Sequence, residues 1–167
     1  ERLAHQHMLL FRADFMRRSH IADMVKHQAE ATGLWGTIKA LLGMQGLVED
    51  PALAARYRAL GDLPEPTLGH QYVRYLERNG FSAPGEKHGF PEAGVYHDFT
   101  HVLGGYATDS AGEMQIAAFV AGYKKENPFY VLMFVMLTFG TGVNVTPIPQ
   151  PPSEGILAEP GLAEKVF

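Results

Sequence analysis

The stretch VYHDFTHVLGGYATDSAGEMQIAAFVAGY, Val95 to Tyr123, decides how this chain is read. Its first part predicts a helix near Val95 to Leu103, and Gly104-Gly105 supplies a break. Thr108 or Asp109 can cap a second helix from about Ser110 to Tyr123, and Ser110 stands at capping-box spacing from Glu113 if Ser110 is itself the cap. Helix, glycine break, helix is the pattern of an all-α chain.

The same pattern extends outward on both sides. Upstream, Thr67 caps a stripe of Leu68, Tyr72, Tyr75 and Leu76 at i, i+4, i+7 and i+8, which Gly80 ends. Asp50-Pro51 pairs a capping carboxylate with proline at the first helical position, starting a helix that runs to Leu60 before Gly61. Trp35 to Leu42 reads as a short apolar helix ended by Gly43. In the first thirty residues Met8, Phe11, Phe15, Ile21, Val25 and Ala29 recur at helical spacing. Ser82 to Gly94, rich in Pro and Gly, is a connector. Downstream, Asn127-Pro128 opens a helix over Phe129 to Phe139, and a Pro-rich tail follows from Thr146. No alternating strand pattern competes. The expectation is an all-α fold over 1–167, a single-domain irregular bundle of about seven to eight helices, with 143–167 as an irregular tail.

Composition narrows the chemistry. A chain of 167 residues, 46% hydrophobic, can bury roughly two thirds of its unfolded surface and needs no disulfide or metal merely to fold. It has no cysteine, which removes disulfides, thiolate zinc sites, iron–sulfur clusters and cysteine nucleophiles together. A net charge of -4 and a pI near 6.1 argue against a nucleic-acid partner. No segment reads as a signal peptide, and a chain opening at Glu1 rather than Met leaves targeting undecided. Eight histidines remain to be explained.

Two of them have partners at ligand spacing. On a helix, His97 and His101 lie one turn apart and present their imidazoles to the same space, with Asp98 in the same broad arc. Glu113 lies twelve residues beyond His101, about 18 Å along an unbroken helix and out of reach. The break at Gly104-Gly105 lets a second helix return with Glu113 in its first turn. Two imidazoles and one or two carboxylates suit Zn²⁺, or Fe²⁺ in a facial triad. The plainer alternative is a set of hydrogen-bonded polar residues at helix ends. His5, His7, His20, His27, His70 and His88 read as surface or hydrogen-bonded histidines.

In type and spacing, His97-Asp98-x-x-His101, an eleven-residue gap and Glu113 resemble the signature of the coenzyme Q (ubiquinone) biosynthesis protein four family. Leu68-Gly69, Tyr72 through Gly80, Tyr106, Thr108-Asp109, Gly112 and Gly122 are similar too, and the likeness covers about half the chain, from Leu60 to Val145. The resemblance implies that His97, Asp98, His101 and Glu113 bind a divalent metal, zinc in the usual proposal, with Fe²⁺ or Mg²⁺ as alternatives. It implies an all-α protein that binds a polyprenyl lipid or quinone intermediate, and one of two roles. The first is oxidative loss of the ring carboxyl at C1, a metal-dependent lyase or decarboxylase activity. The second is a non-catalytic lipid-binding scaffold that organises other quinone-biosynthesis proteins around a structural metal. A homodimer and peripheral membrane contact belong to the same expectation. So does a cytoplasmic, membrane-associated location in a bacterium, or the matrix face of the inner mitochondrial membrane in a eukaryote. A His-Asp phosphohydrolase would need further ligands from distant helices, which the sequence does not place.

A lipid tail needs an apolar wall. From Asn127 to Ser153 there is no charged residue, and Phe129 to Phe139 is apolar on every side. It is too short for a membrane span and reads first as a central core helix. The functional reading is that Phe129, Met133, Phe134, Met136 and Leu137 line a tunnel for an isoprenoid chain, Met being adaptable, with Tyr106 facing the substrate beside the hinge. Tyr72 and Tyr75 read as core residues with hydroxyls reaching the rim. Arg17-Arg18 and Lys124-Lys125 are the paired bases that an anionic headgroup would want.

Overall fold

The structure, a computed structural model, describes residues 20–140, with side chains over 22–136. Six α-helices follow in order: α1 His20–Met44, α2 Pro51–Arg58, α3 Leu68–Asn79, α4 Val95–Gly104, α5 Ser110–Tyr123 and α6 Pro128–Gly140. Short 3-10 turns at Ala59–Asp62 and Glu92–Gly94 complete the list, and no strand occurs among the described residues. Among the described residues the fold is all-α, with six helices against the seven to eight expected over the whole chain. The expected stretches around Val25 and Trp35 to Leu42 are both helical within α1 and meet at a kink at Gly33, whose φ of 70° and ψ of -177° are not helical. Only glycine takes that conformation cheaply. Thr37 Oγ1 donates to the Gly33 carbonyl at 2.9 Å, satisfying a group beside the bend. The helices expected within residues 1–19, the Arg17-Arg18 pair and the Pro-rich tail lie outside the described residues.

The backbone groups into two compact units, one spanning Met24–Gly105 and one that includes Tyr106 onward. In the first, Asp50 Oδ1 accepts from the Leu53 amide at 3.1 Å, so α2 starts where Asp50-Pro51 predicts. Thr67 Oγ1 accepts from the His70 amide at 3.4 Å and starts α3, and Gly80 ends it in the left-handed conformation. Of the stripe on α3, Tyr72, Tyr75 and Leu76 are buried, with Val73 beside them, whereas Leu68 in the first turn is exposed. Tyr72, Tyr75 and Leu76 form a core with Ala83 and Val95, against which Tyr57, Leu60, Phe99 and Val102 pack. Tyr72 is its centre, with rings of Phe99 at 5.2 Å and Tyr57 at 6.0 Å set edge-on to it. Such pairs add about 0.5–1.5 kcal/mol each beyond the area they bury.

In the second unit α5 packs on α6. Met114, Ile116, Ala117 and Val120 of α5 meet Val131 and Val135 of α6 in one core. Each valine contributes about 1.5–3 kcal/mol by leaving water. The reading of α6 as a central core helix needs correction. Among its described side chains Val131 and Val135, one turn apart, are the buried ones, whereas Phe129 is 64% exposed and Leu132, Met133, Phe134 and Met136 are half-buried. No helix among the described residues is long and apolar enough to cross a membrane.

Candidate metal centre

Helix α4 carries the motif. The turn Glu92–Gly94 leads into it, and Gly105, at φ 68°, closes it as a left-handed cap, as the Gly104-Gly105 break requires. One turn apart, His97 and His101 bring their rings to 5.0 Å at 82°. His101 is buried, 3% exposed, and the Tyr75 ring stacks on it at 5.6 Å and 24°. Phe90 stands 6.5 Å from the half-buried His97 ring. Neighbouring aromatic rings thus flank both imidazoles.

Between them in sequence, Asp98 is also buried, and its Oδ2 accepts from the Tyr72 hydroxyl at 3.1 Å. Tyr72 has no exposed surface. Burial, reinforced by the Asp98 charge, pushes its hydroxyl well above the ordinary tyrosine range, so it keeps its proton to donate. Tyr72 was legible in the sequence as a core residue with its hydroxyl at the rim. The structure corrects that: the hydroxyl points inward, to a carboxylate 26 residues away. No local spacing announces such a pair.

Glu113 belongs to α5. The cap is Asp109, whose Oδ1 accepts from the Gly112 amide at 2.9 Å, while its carbonyl takes the Glu113 amide at 2.9 Å. Ser110 is therefore the first helical residue, not the cap, and Glu113 is not the partner in a Ser110 capping box. Gly112 makes the tight entry possible, because a Cβ there would run into the Ala107 carbonyl oxygen.

His97, His101 and Glu113 each offer one ligand atom, and these atoms lie within 4.8 Å of one another, a group that can hold a metal ion. Two neutral imidazoles and one carboxylate are a nitrogen–oxygen donor set suited to zinc or ferrous iron. Asp98 stands outside this group of three.

The residues expected to face a lipid are distributed as follows. Tyr106, Phe134 and Met136 pack against the α5–α6 core, Met133 is half-buried, and Phe129 is exposed. Leu137 lies in α6, and its side chain is outside the described set. Lys124 is paired with Asp23. The bland reading of the other histidines holds for those described: His70 Nδ1 lies 2.9 Å from the Leu63 carbonyl, His88 Nδ1 3.3 Å from that of Met44, and His27 3.5 Å from Glu30. His5 and His7 lie outside the described residues, as does the side chain of His20. Sequence reading also passed over a cleft of about 400 Å³ between α1, α2 and the loop before α4. Its bases are matched by acids, Lys39 with Asp50 at 2.7 Å and Arg56 with Glu92 at 2.9 Å.

Comparisons of the chain with family models, with curated proteins and with solved structures found no match. The likeness to the coenzyme Q biosynthesis family rests on the motif residues themselves.

Proposed function

We propose that this chain holds a divalent metal, zinc or ferrous iron, through His97, His101 and Glu113. We further propose that it acts there on a prenylated aromatic or quinone-like lipid of ubiquinone biosynthesis, the reaction being oxidative loss of the ring carboxyl at C1, carbon dioxide leaving and a hydroxyl entering as an oxidant such as dioxygen takes up two electrons. The observation that carries this reading is the convergence of three ligand atoms of the right types within 4.8 Å. The motif likeness supplies the substrate class.

A divalent cation in such a donor set supplies Lewis acidity toward a carboxylate oxygen, and iron would add the redox change that zinc lacks. The protein's own contribution is to restrain the ligands. Tyr75 stacks against the His101 ring, Tyr72 donates to the buried Asp98 carboxylate on the same helix, and burial of His101 keeps water from one side. For the tail, Phe129, Met133, Phe134 and Met136 offer an adaptable apolar surface.

Elemental analysis of protein prepared without chelator should find about one equivalent of divalent metal in the parent chain, lost in His97→Ala and in Glu113→Ala. A parent free of stoichiometric metal would sink the reading. Mass spectrometry of an organic extract tests the lipid part, which fails if no isoprenoid is found and added polyprenyl quinone does not bind. Metal and lipid both bound, with no decarboxylation of a carboxylated precursor, would identify the scaffold role instead.

A further inference from the structure

We infer that the cleft between α1, α2 and the loop before α4 is a second binding site, for a small organic cation: an ammonium or guanidinium group on a compact apolar body. The inference goes beyond the metal-centre reading and does not rest on it. The residues that line the cleft all lie within the unit Met24–Gly105, and none belongs to the metal-binding group. On α1 the lining residues Gln28, Thr32, Gly36, Ala40 and Gly43 recur at steps of three or four, so the kinked helix presents one side to the cleft. That side is made of small and polar residues, while Leu34, Trp35, Leu41 and Leu42 of the same helix stand exposed, Trp35 by 81%. A packed helix normally does the reverse, turning its large apolar side chains inward to fill space. Here α1 leaves an opening of about 400 Å³, the size of a small-molecule site.

The charges of the wall select the ligand. Val48, Leu53, Phe90 and Pro91 make part of it apolar, and the ionised groups around them are paired. Lys39 meets Asp50 at 2.7 Å, Arg56 meets Glu92 at 2.9 Å, and Glu86 is met from outside the lining by Arg58 at 2.5 Å. Both bases of the lining are therefore taken, and an anion would have to displace a carboxylate to reach either. One acid is left over: Glu49 lines the cleft, exposed, with no ion pair or hydrogen bond of its side chain among the described residues. A ligand that brings a cation completes the set, and the Phe90 ring is the kind of group on which a cation packs. A carboxylated lipid, the class proposed for the metal centre, meets only surplus negative charge here. The cleft thus takes a different class of molecule.

Benzylamine, benzyl alcohol and benzoate share one shape and differ in charge, which makes them the probes. Each is titrated at about pH 7 into the full chain, and NMR shifts of the amides of Gly36, Gly43, Gly85 and Gly89, the glycines of the wall, report occupancy. Benzylamine should shift these amides with a midpoint of about 1 mM, as a ligand of its size allows. Benzyl alcohol should bind about three- to fivefold more weakly, the gain that a solvent-exposed charge pair provides, and benzoate should leave the amides unmoved. Glu49→Gln should raise the benzylamine midpoint to that of benzyl alcohol without changing the latter. Ala40→Phe, which fills the opening, should abolish both responses. Glu49 is exposed, so its variant keeps the fold and decides the matter even if Ala40→Phe does not fold by circular dichroism. Equal midpoints for benzylamine and benzyl alcohol, an unmoved benzylamine midpoint in Glu49→Gln, or tighter binding of benzoate overturns the assignment of a cation. Failure of all three probes to shift the glycine amides overturns the site itself.

Discussion

Tyr72 and Gly112 show how much rides on single atoms. Tyr72 is wholly buried, and its hydroxyl finds a buried carboxylate in Asp98, so the pair is satisfied inside the core. Gly112 has the opposite role, being needed for what it lacks. A methyl group there would collide with the Ala107 carbonyl oxygen, backbone that cannot swing aside as a flexible side chain would. Gly112→Ala should therefore cost about 2 kcal/mol or more and displace the first turn of α5. Thermal unfolding measures the cost, and reduced metal content would register the displaced Glu113. Substitution at Gly122, where a Cβ meets nothing within 4 Å, is the matched control and should change little.

At the scale of an element, the starts and stops of these helices are capping chemistry. Asp50, Thr67 and Asp109 each accept a backbone amide three residues on in the chain. Removing such an acceptor costs about 1 kcal/mol. Asp109→Ala should lose that amount and loosen the turn that carries Glu113, so metal affinity should fall along with the melting temperature. Asp50→Ala should lose a similar amount and leave metal affinity unchanged, because α2 carries no ligand. A finding that both variants weaken metal binding equally would show that general destabilisation, not the seating of Glu113, governs the site. These caps were legible in sequence because each is a local interaction between neighbours. The bend at Gly33 was not, since a lone glycine in a helical pattern is compatible with a straight helix, an end or a kink.

Across the molecule, ionisation sets the limits of stability. The Arg58 guanidinium, 2.5 Å from Glu86, holds that carboxyl below the usual range, with the Ala83 amide assisting. Lys39 does the same for the half-buried Asp50. A carboxyl depressed in the folded state adds stability above its unfolded value, near 4.5 for Glu86, which is lost as pH falls through the folded value. Tyr57 and Tyr72 act at the other end. Burial raises both, so the folded chain keeps them neutral where the unfolded chain ionises, and stability is lost as pH rises above 10.0. The melting temperature should hold steady between these limits, falling below about pH 4.5 and again above about pH 10. Glu86→Gln should flatten the acid limb and Tyr57→Phe the alkaline limb. Limbs unchanged in these variants would assign the pH dependence to other groups.

The all-α class, the positions of most helix ends and the pairing of His97 with His101 follow from the sequence by itself, because they depend on residues within a few positions of one another. A cap, a glycine stop and an i, i+4 pair are local, and helix geometry translates their spacing directly into space. What only the tertiary structure decided are matters between segments distant in the chain: that the Tyr72 hydroxyl points inward to Asp98, that Tyr75 stacks on His101, and that α6 buries Val131 and Val135 and exposes Phe129. Each depends on which side chain fills which space once helices pack, and spacing along the chain carries no record of that.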